Sequence, residues 1–115
     1  GDQLVSRNRK AALETLYRLL EGGAEPVMLI GVLASNFHRL ALAKDALSRG
    51  STADVFKTVS MPFFKRDAFI NTLRRSDPEK IAHGLKLIAA ADLAIKTSQA
   101  TPRLQIEMLV CELAG

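Results

Sequence analysis

Apolar positions recur along this chain at helical spacing from one end to the other. Leu13, Leu16, Tyr17 and Leu20 fall at i, i+3, i+4 and i+7, one stripe of an amphipathic helix. Gly22-Gly23 ends that stripe, supplying the left-handed residue that a helix C-terminus favours. Pro26 then sits where the first turn of a helix tolerates proline, and the pattern predicts a second helix from about Glu25 to Arg49, closed by Gly50. Its first half, Val27 to Leu33, is apolar nearly all round except at Gly31, which predicts a central helix covered on several sides. Its second half narrows to one face with Phe37, Leu40, Ala41, Lys44 and Leu47.

Ser51 or Thr52 is placed to cap a short helix through Val59, with Asp54 in its first turn. Ser60-Met61-Pro62 breaks it, and a fourth helix carries Phe63, Phe64, Phe69, Ile70 and Leu73. Asp77-Pro78-Glu79 joins a capping acid, a first-turn proline and a further acid, a strong helix start. The helix that follows presents Ile81, Leu85, Ile88 and Ile95, and Thr101-Pro102 opens the last, Arg103 to Ala114. No strand pattern and no repeat occurs. The predicted fold is all-α, a compact bundle of five to six helices in a single domain over residues 1–115.

Composition supports this. Leu and Ala dominate the apolar set, and both lose little rotamer freedom in a helix; aromatics are only 5%. A chain of 115 residues buries roughly two-thirds of its extended surface, enough for an autonomous core. Cys111 has no cysteine partner in the chain, and a thiol in an apolar run suits a reducing compartment. No apolar run reaches the ~20 residues that cross a bilayer, so the expected location is cytoplasmic with no membrane role. Gly1 stands where Met is usual and the chain opens in mid-pattern, which reads as a cleavage scar on one domain cut from a longer protein.

The net charge of +4 admits a nucleic-acid neighbourhood, but its basic residues come in ones and twos, as on a mixed solvated surface. No phosphate-cradling glycine motif is present, and His38 and His83 stand far apart with no metal-ligand spacing. The chain is therefore read as having no catalytic residue, no metal and no cofactor.

Three features have a functional reading beside a bland one. Asp92 lies in line with the apolar stripe Ile81, Leu85, Ile88, Ile95. It is either a buried acid fixing a neighbouring helix or partner or, as is favoured, a boundary acid paired with Lys96 or a nearby arginine. Met61 to Arg66 interleaves aromatics with base, which superficially suits single-stranded nucleic acid. Helix docking by Phe63 and Phe64 is the favoured alternative. In the last helix, Leu104, Ile106, Met108, Leu109, Val110, Cys111 and Leu113 cover more than one face, so it is either central or meets another chain.

Longer runs carry a resemblance. Leu87-Ile88-Ala89-Ala90-Ala91-Asp92-Leu93-Ala94-Ile95-Lys96-Thr97 followed by Pro102-Arg103-Leu104-Gln105-Ile106-Glu107-Met108-Leu109 resembles the end of the delta subunit of bacterial DNA polymerase III. Leu19-Leu20-Glu21-Gly22-Gly23-Ala24-Glu25-Pro26, Leu33 to Leu40 and the Pro62-Phe63 step fit the same family in order, over nearly the whole chain. The resemblance implies the C-terminal collar domain of a clamp-loader subunit, part of an AAA+ assembly acting in DNA replication. Such a domain packs with the C-terminal domains of other clamp-loader subunits so that the sliding clamp can be loaded on DNA. The clamp itself would be met only through the missing N-terminal part, and DNA indirectly or weakly. The family places no catalytic residue here, so the domain is not an enzyme. Phe63, Phe64, Lys96, Arg103 and Met108 are the expected partner contacts, and Asp92 a structural polar residue. A small basic helical nucleic-acid-binding domain is the alternative.

Overall fold

The computed structural model describes residues 2–115, with side chains described from Arg7 onward; Gly1 and the cleavage-scar reading lie outside the described residues. The described residues form six α-helices, one 3₁₀ turn and no strand: α1 (Asp2–Glu21), α2 (Pro26–Arg49), α3 (Thr52–Thr58), the turn (Phe63–Lys65), α4 (Arg66–Arg75), α5 (Pro78–Lys96) and α6 (Pro102–Leu113). The all-α prediction and most boundaries hold.

The boundaries have local causes. Past the end of α1, the Ala24 amide donates to the Leu19 carbonyl and the Gly23 amide to that of Leu20, the paired bonds of a Schellman motif. Gly23 takes φ +98, a left-handed value that costs glycine little. The end of α5 repeats the motif at Gln99 and Ser98, but there Ser98 holds φ 56 with a Cβ attached. At the start of α5 the Asp77 carboxylate accepts from the Glu79 amide at 2.9 Å. Thr101 accepts from the Leu104 amide at 3.2 Å to open α6, with Pro102 at the first helical position.

The chain folds as two compact units, unit 1 (Gly1–Leu33 with Lys86–Gly115) and unit 2 (Ala34–Leu85). α2 and α5 each contribute one half to each unit. In unit 1, α1 packs on α6, and Leu16, Ile30, Ile88, Ala91, Ile106 and Leu109 are buried. In unit 2 the core is Ala43 of α2, Val55 and Val59 at α3, and Ile70 and Leu73 of α4, with Leu40, Leu47, Phe56 and Phe69 against it. The Lys44 ammonium donates to the Leu73 carbonyl at 2.8 Å and so caps the C-terminus of α4. Gly84 of α5 lies against the Phe37 ring so closely that a Cβ there would overlap it. No polar or charged residue is buried among the described residues.

One expectation is corrected. The first half of α2 is not covered on several sides: only Ile30 is buried, while Val27, Met28 and Val32 face outward. Apolar residues all round a helix demand burial by something, and unit 1 supplies it on one side only. By length and composition α2 is also long and apolar enough to cross a membrane, although its uninterrupted apolar run is shorter. Ile30 and Ala43 of the same helix are buried, one in each unit.

Candidate interaction surfaces

In unit 1, α6 divides cleanly by face. Its four-residue back-bonding puts Ile106 and Leu109 in the interior, with Ile106 wholly buried. One hundred degrees per residue then turns Leu104 and Met108 to the opposite side, where Met108 keeps 49% of its surface. Cys111, on that same side, is half-buried; its carbonyl accepts from the Arg9 Nε of α1 at 3.0 Å. A shallow hollow of about 120 Å³ opens between Met108, Gln105 and Glu112 of α6 and Leu87 and Ala90 of α5. A second, almost purely apolar one of about 180 Å³ lies among Leu16 and Leu19 of α1, Leu29 and Val32 of α2 and Val110 of α6.

The polar candidates of unit 1 are already engaged. Lys96 pairs with Asp92 at 2.7 Å and Arg103 with Glu107 at 3.1 Å, each across one turn of its own helix. Both pairs are solvent-accessible, so each is worth about 0–1 kcal/mol. Asp92 is half-exposed, and of the partners expected for a boundary acid it takes Lys96.

Unit 2 offers a different surface. Pro62, at φ −57 and ψ 141, sets the chain into a 3₁₀ turn closed by the Lys65 amide on the Pro62 carbonyl at 3.0 Å. The turn carries Phe63 and Phe64 outward at 85% and 81% exposure, so they do not dock a helix into the core, contrary to the favoured expectation. The physical reason is register: α4 begins only at Arg66, and its buried face starts at Ile70 and Leu73, leaving the two rings before the first helical turn. Cations lie beside them. The Lys65 ammonium is 5.8 Å from the Phe64 ring centre; the Arg66 guanidinium is 5.7 Å from that of Phe63 and 4.7 Å from that of Phe56. The Arg66 Nε donates to the Met61 carbonyl at 3.3 Å.

His38 and His83 are both exposed, and among the described residues no group of His, Cys, Asp and Glu is arranged to hold a metal ion. Asp54 is held below its ordinary pKa. The Ser51 amide donates to its carboxylate at 2.9 Å and lowers it, with Lys57 adding a smaller pull. That is a helix-capping role.

The five expected partner residues thus fall into two sets: Lys96, Arg103 and Met108 in unit 1, Phe63 and Phe64 in unit 2.

Comparison with known proteins decides the family. The family model described as DNA polymerase III delta subunit, C-terminal domain, matches residues 1–113. The chain belongs to that family. Searches of the curated proteins and of the solved structures found no match. Membership places the chain with the DNA polymerase III clamp loader and confirms the resemblance carried by the Leu87–Leu109 stretch.

Sequence reasoning missed two features of these surfaces. One is the outward row Val27, Met28 and Val32, which patterning alone reads as buried. The other is the distribution of charge: unit 2 holds nine Lys and Arg against five Asp and Glu, and unit 1 seven against seven. The whole +4 of the chain belongs to unit 2. The basic residues look scattered because unit 1 is split in sequence around unit 2, so its balanced charges flank the basic stretch on both sides.

Proposed function

We propose that this domain is a subunit-assembly module of the DNA polymerase III clamp loader. It packs with the C-terminal domains of other subunits so that the sliding clamp can be loaded on DNA during replication. The observation that supports the reading is the uncovered apolar surface of the charge-balanced unit 1, with Leu104 and Met108 outward on α6 and Val27, Met28 and Val32 outward on α2. Such surface gains by being removed from water at about 25 cal/mol per Å², and with no net charge it meets a protein partner without electrostatic penalty. Lys96 and Arg103, near the α5–α6 turn, serve as rim residues of that contact, and Asp92 keeps Lys96 in place. The domain does no chemistry itself. It works in the cytoplasm, and contact with the clamp belongs to the N-terminal region of the longer protein.

The test is co-purification of the full-length parent with its cellular partners, comparing the natural sequence with Met108→Asp and Met28→Asp. Loss of the other subunits, with the melting of the isolated domain unchanged, supports assembly through these faces. Retention of every subunit by both variants overturns it.

A further inference from the structure

Between α3 and α4 of unit 2 lies a hollow of about 560 Å³, far larger than the two of unit 1, and none of the assembly reading uses it. Asp67, Ile70, Asn71 and Arg74 line one side at i, i+3, i+4 and i+7 of α4, and Phe56 of α3 faces them. Phe63 and Arg66 close one end. The floor is apolar, from Phe56 and the largely buried Ile70; the rim carries a guanidinium at each end, Arg66 and Arg74, with a carboxylate and an amide between them. Arg66 is held in place by the Met61 carbonyl and by the Phe56 and Phe63 faces, which leaves the terminal nitrogens of its fork unclaimed. The surrounding stretch from Lys57 to Arg75 contains five Lys and Arg and one acid, Asp67.

We propose that this hollow docks an acidic peptide segment bearing one aromatic or large aliphatic anchor. The anchor seats on Phe56 and Ile70 beside the exposed Phe63 ring, and carboxylates before and after it pair with the forks of Arg66 and Arg74. A planar guanidinium matches a carboxylate through two parallel hydrogen bonds, and a pre-positioned one loses little freedom in making them. Charge complementarity selects an anion, and the rim selects a peptide over a nucleic acid. A peptide backbone brings N–H donors, which Asp67 and the Asn71 carbonyl oxygen can accept. A phosphodiester backbone brings only acceptors and leaves Asp67 and the Asn71 carbonyl oxygen without a donor. A single hollow between two helices also differs from the extended platforms on which successive bases stack.

The test uses the 115-residue chain and a fluorescent glutamate-rich peptide with a single central phenylalanine, titrated by anisotropy at physiological salt. Its controls are the same peptide with alanine at the centre and an oligothymidylate of equal charge. The expected result is binding that Arg74→Ala and Phe63→Ala each weaken by about tenfold, the scale of an interface hot spot. Both residues are exposed, and unchanged helicity and melting of the variants shows that the fold is intact. The alanine peptide is expected to lose about tenfold as well, and Asp67→Asn to leave oligothymidylate the weaker ligand. Equal binding of the phenylalanine and alanine peptides overturns the proposal, because charge alone then accounts for capture. So does tighter binding of oligothymidylate that is lost with Arg74→Ala and Phe63→Ala, which assigns the surface to single-stranded nucleic acid. Absence of peptide binding overturns it outright.

Discussion

Unit 1 and unit 2 are built from the same kind of helix, sharing α2 and α5 between them, yet their surfaces have separated into two chemistries. Unit 1 is charge-balanced and exposes aliphatic side chains on the outer faces of α2 and α6; unit 2 carries the whole net charge and exposes two aromatic rings on a turn. The difference teaches that composition averaged over a chain hides what partners meet. A pI near 9.6 and a mean hydropathy of +0.09 describe neither unit. A neutral apolar face suits a packed subunit contact, while a basic aromatic one suits an anionic ligand, and a chain carrying both can serve two partners at once.

The largest effects expected on this comparison come from the α6 faces and from the unit 2 core. Leu109→Ala and Leu73→Ala should each cost ~2–5 kcal/mol in denaturant unfolding of the isolated chain, because each empties a buried site. Met108→Ala should leave that unfolding nearly unchanged and instead weaken recovery of partner subunits by the full-length protein. Equal, large destabilisation by Leu109→Ala and Met108→Ala would make α6 wholly internal and erase the contrast between its faces.

Next come two glycines that sit in mid-helix under opposite conditions. A Cβ at Gly84 would overlap the Phe37 ring, whereas at Gly31 it meets nothing within 4 Å. Replacing Gly31 with Ala should therefore stabilise the isolated chain by about 0.5–1 kcal/mol through helix propensity alone. Gly84→Ala has the same propensity gain but should lose stability overall, since overpacking costs ~1–3 kcal/mol. Thermal melts of the two variants decide this. A gain at both positions would mean that Phe37 moves aside at little cost and that unit 2 is looser there than its packing implies. If Gly31→Ala also impairs recovery of partner subunits, the bare glycine on the outer face of α2 is a point of close approach.

A smaller effect is expected at the end of α5, where Ser98 occupies the left-handed position that Gly23 fills at the end of α1. Ser98→Gly should stabilise by roughly 1 kcal/mol by removing the Cβ clash of that conformation. A loss on calorimetry would show that the serine side chain contributes more than its backbone costs.

The smallest effect concerns acid. Asp54 is held below its ordinary value by the Ser51 amide, a hydrogen bond present only when α3 is folded. A carboxylate depressed in the folded state contributes stability above its unfolded pKa and loses it as pH falls through the lower, folded one. Denaturant unfolding of the natural chain and of Asp54→Ala should thus differ near neutrality and converge in strong acid. A difference independent of pH would mean that the residue acts through helix propensity rather than through its charge.

Much of this protein was determined by local chemistry. Gly22-Gly23, Asp77-Pro78 and Thr101-Pro102 fix helix ends through caps that involve residues at most five apart, so the boundaries of α1, α5 and α6 are legible in order along the chain. The Asp92–Lys96 pair is legible for the same reason, both groups lying on one turn of one helix. Family membership was legible too, because it rests on many such local patterns in a fixed order. The tertiary structure alone decided which apolar faces stay bare. Leu109 and Met108 are both apolar and adjacent in sequence, and only the way α6 packs within unit 1 makes one core and the other surface. It also decided that Phe63 and Phe64 fall outside the first turn of α4, and that two stretches far apart in sequence fold into one neutral unit while the stretch between them forms a basic one. Burial and net local charge are sums over residues distant in sequence, and no window along the chain contains the terms of that sum.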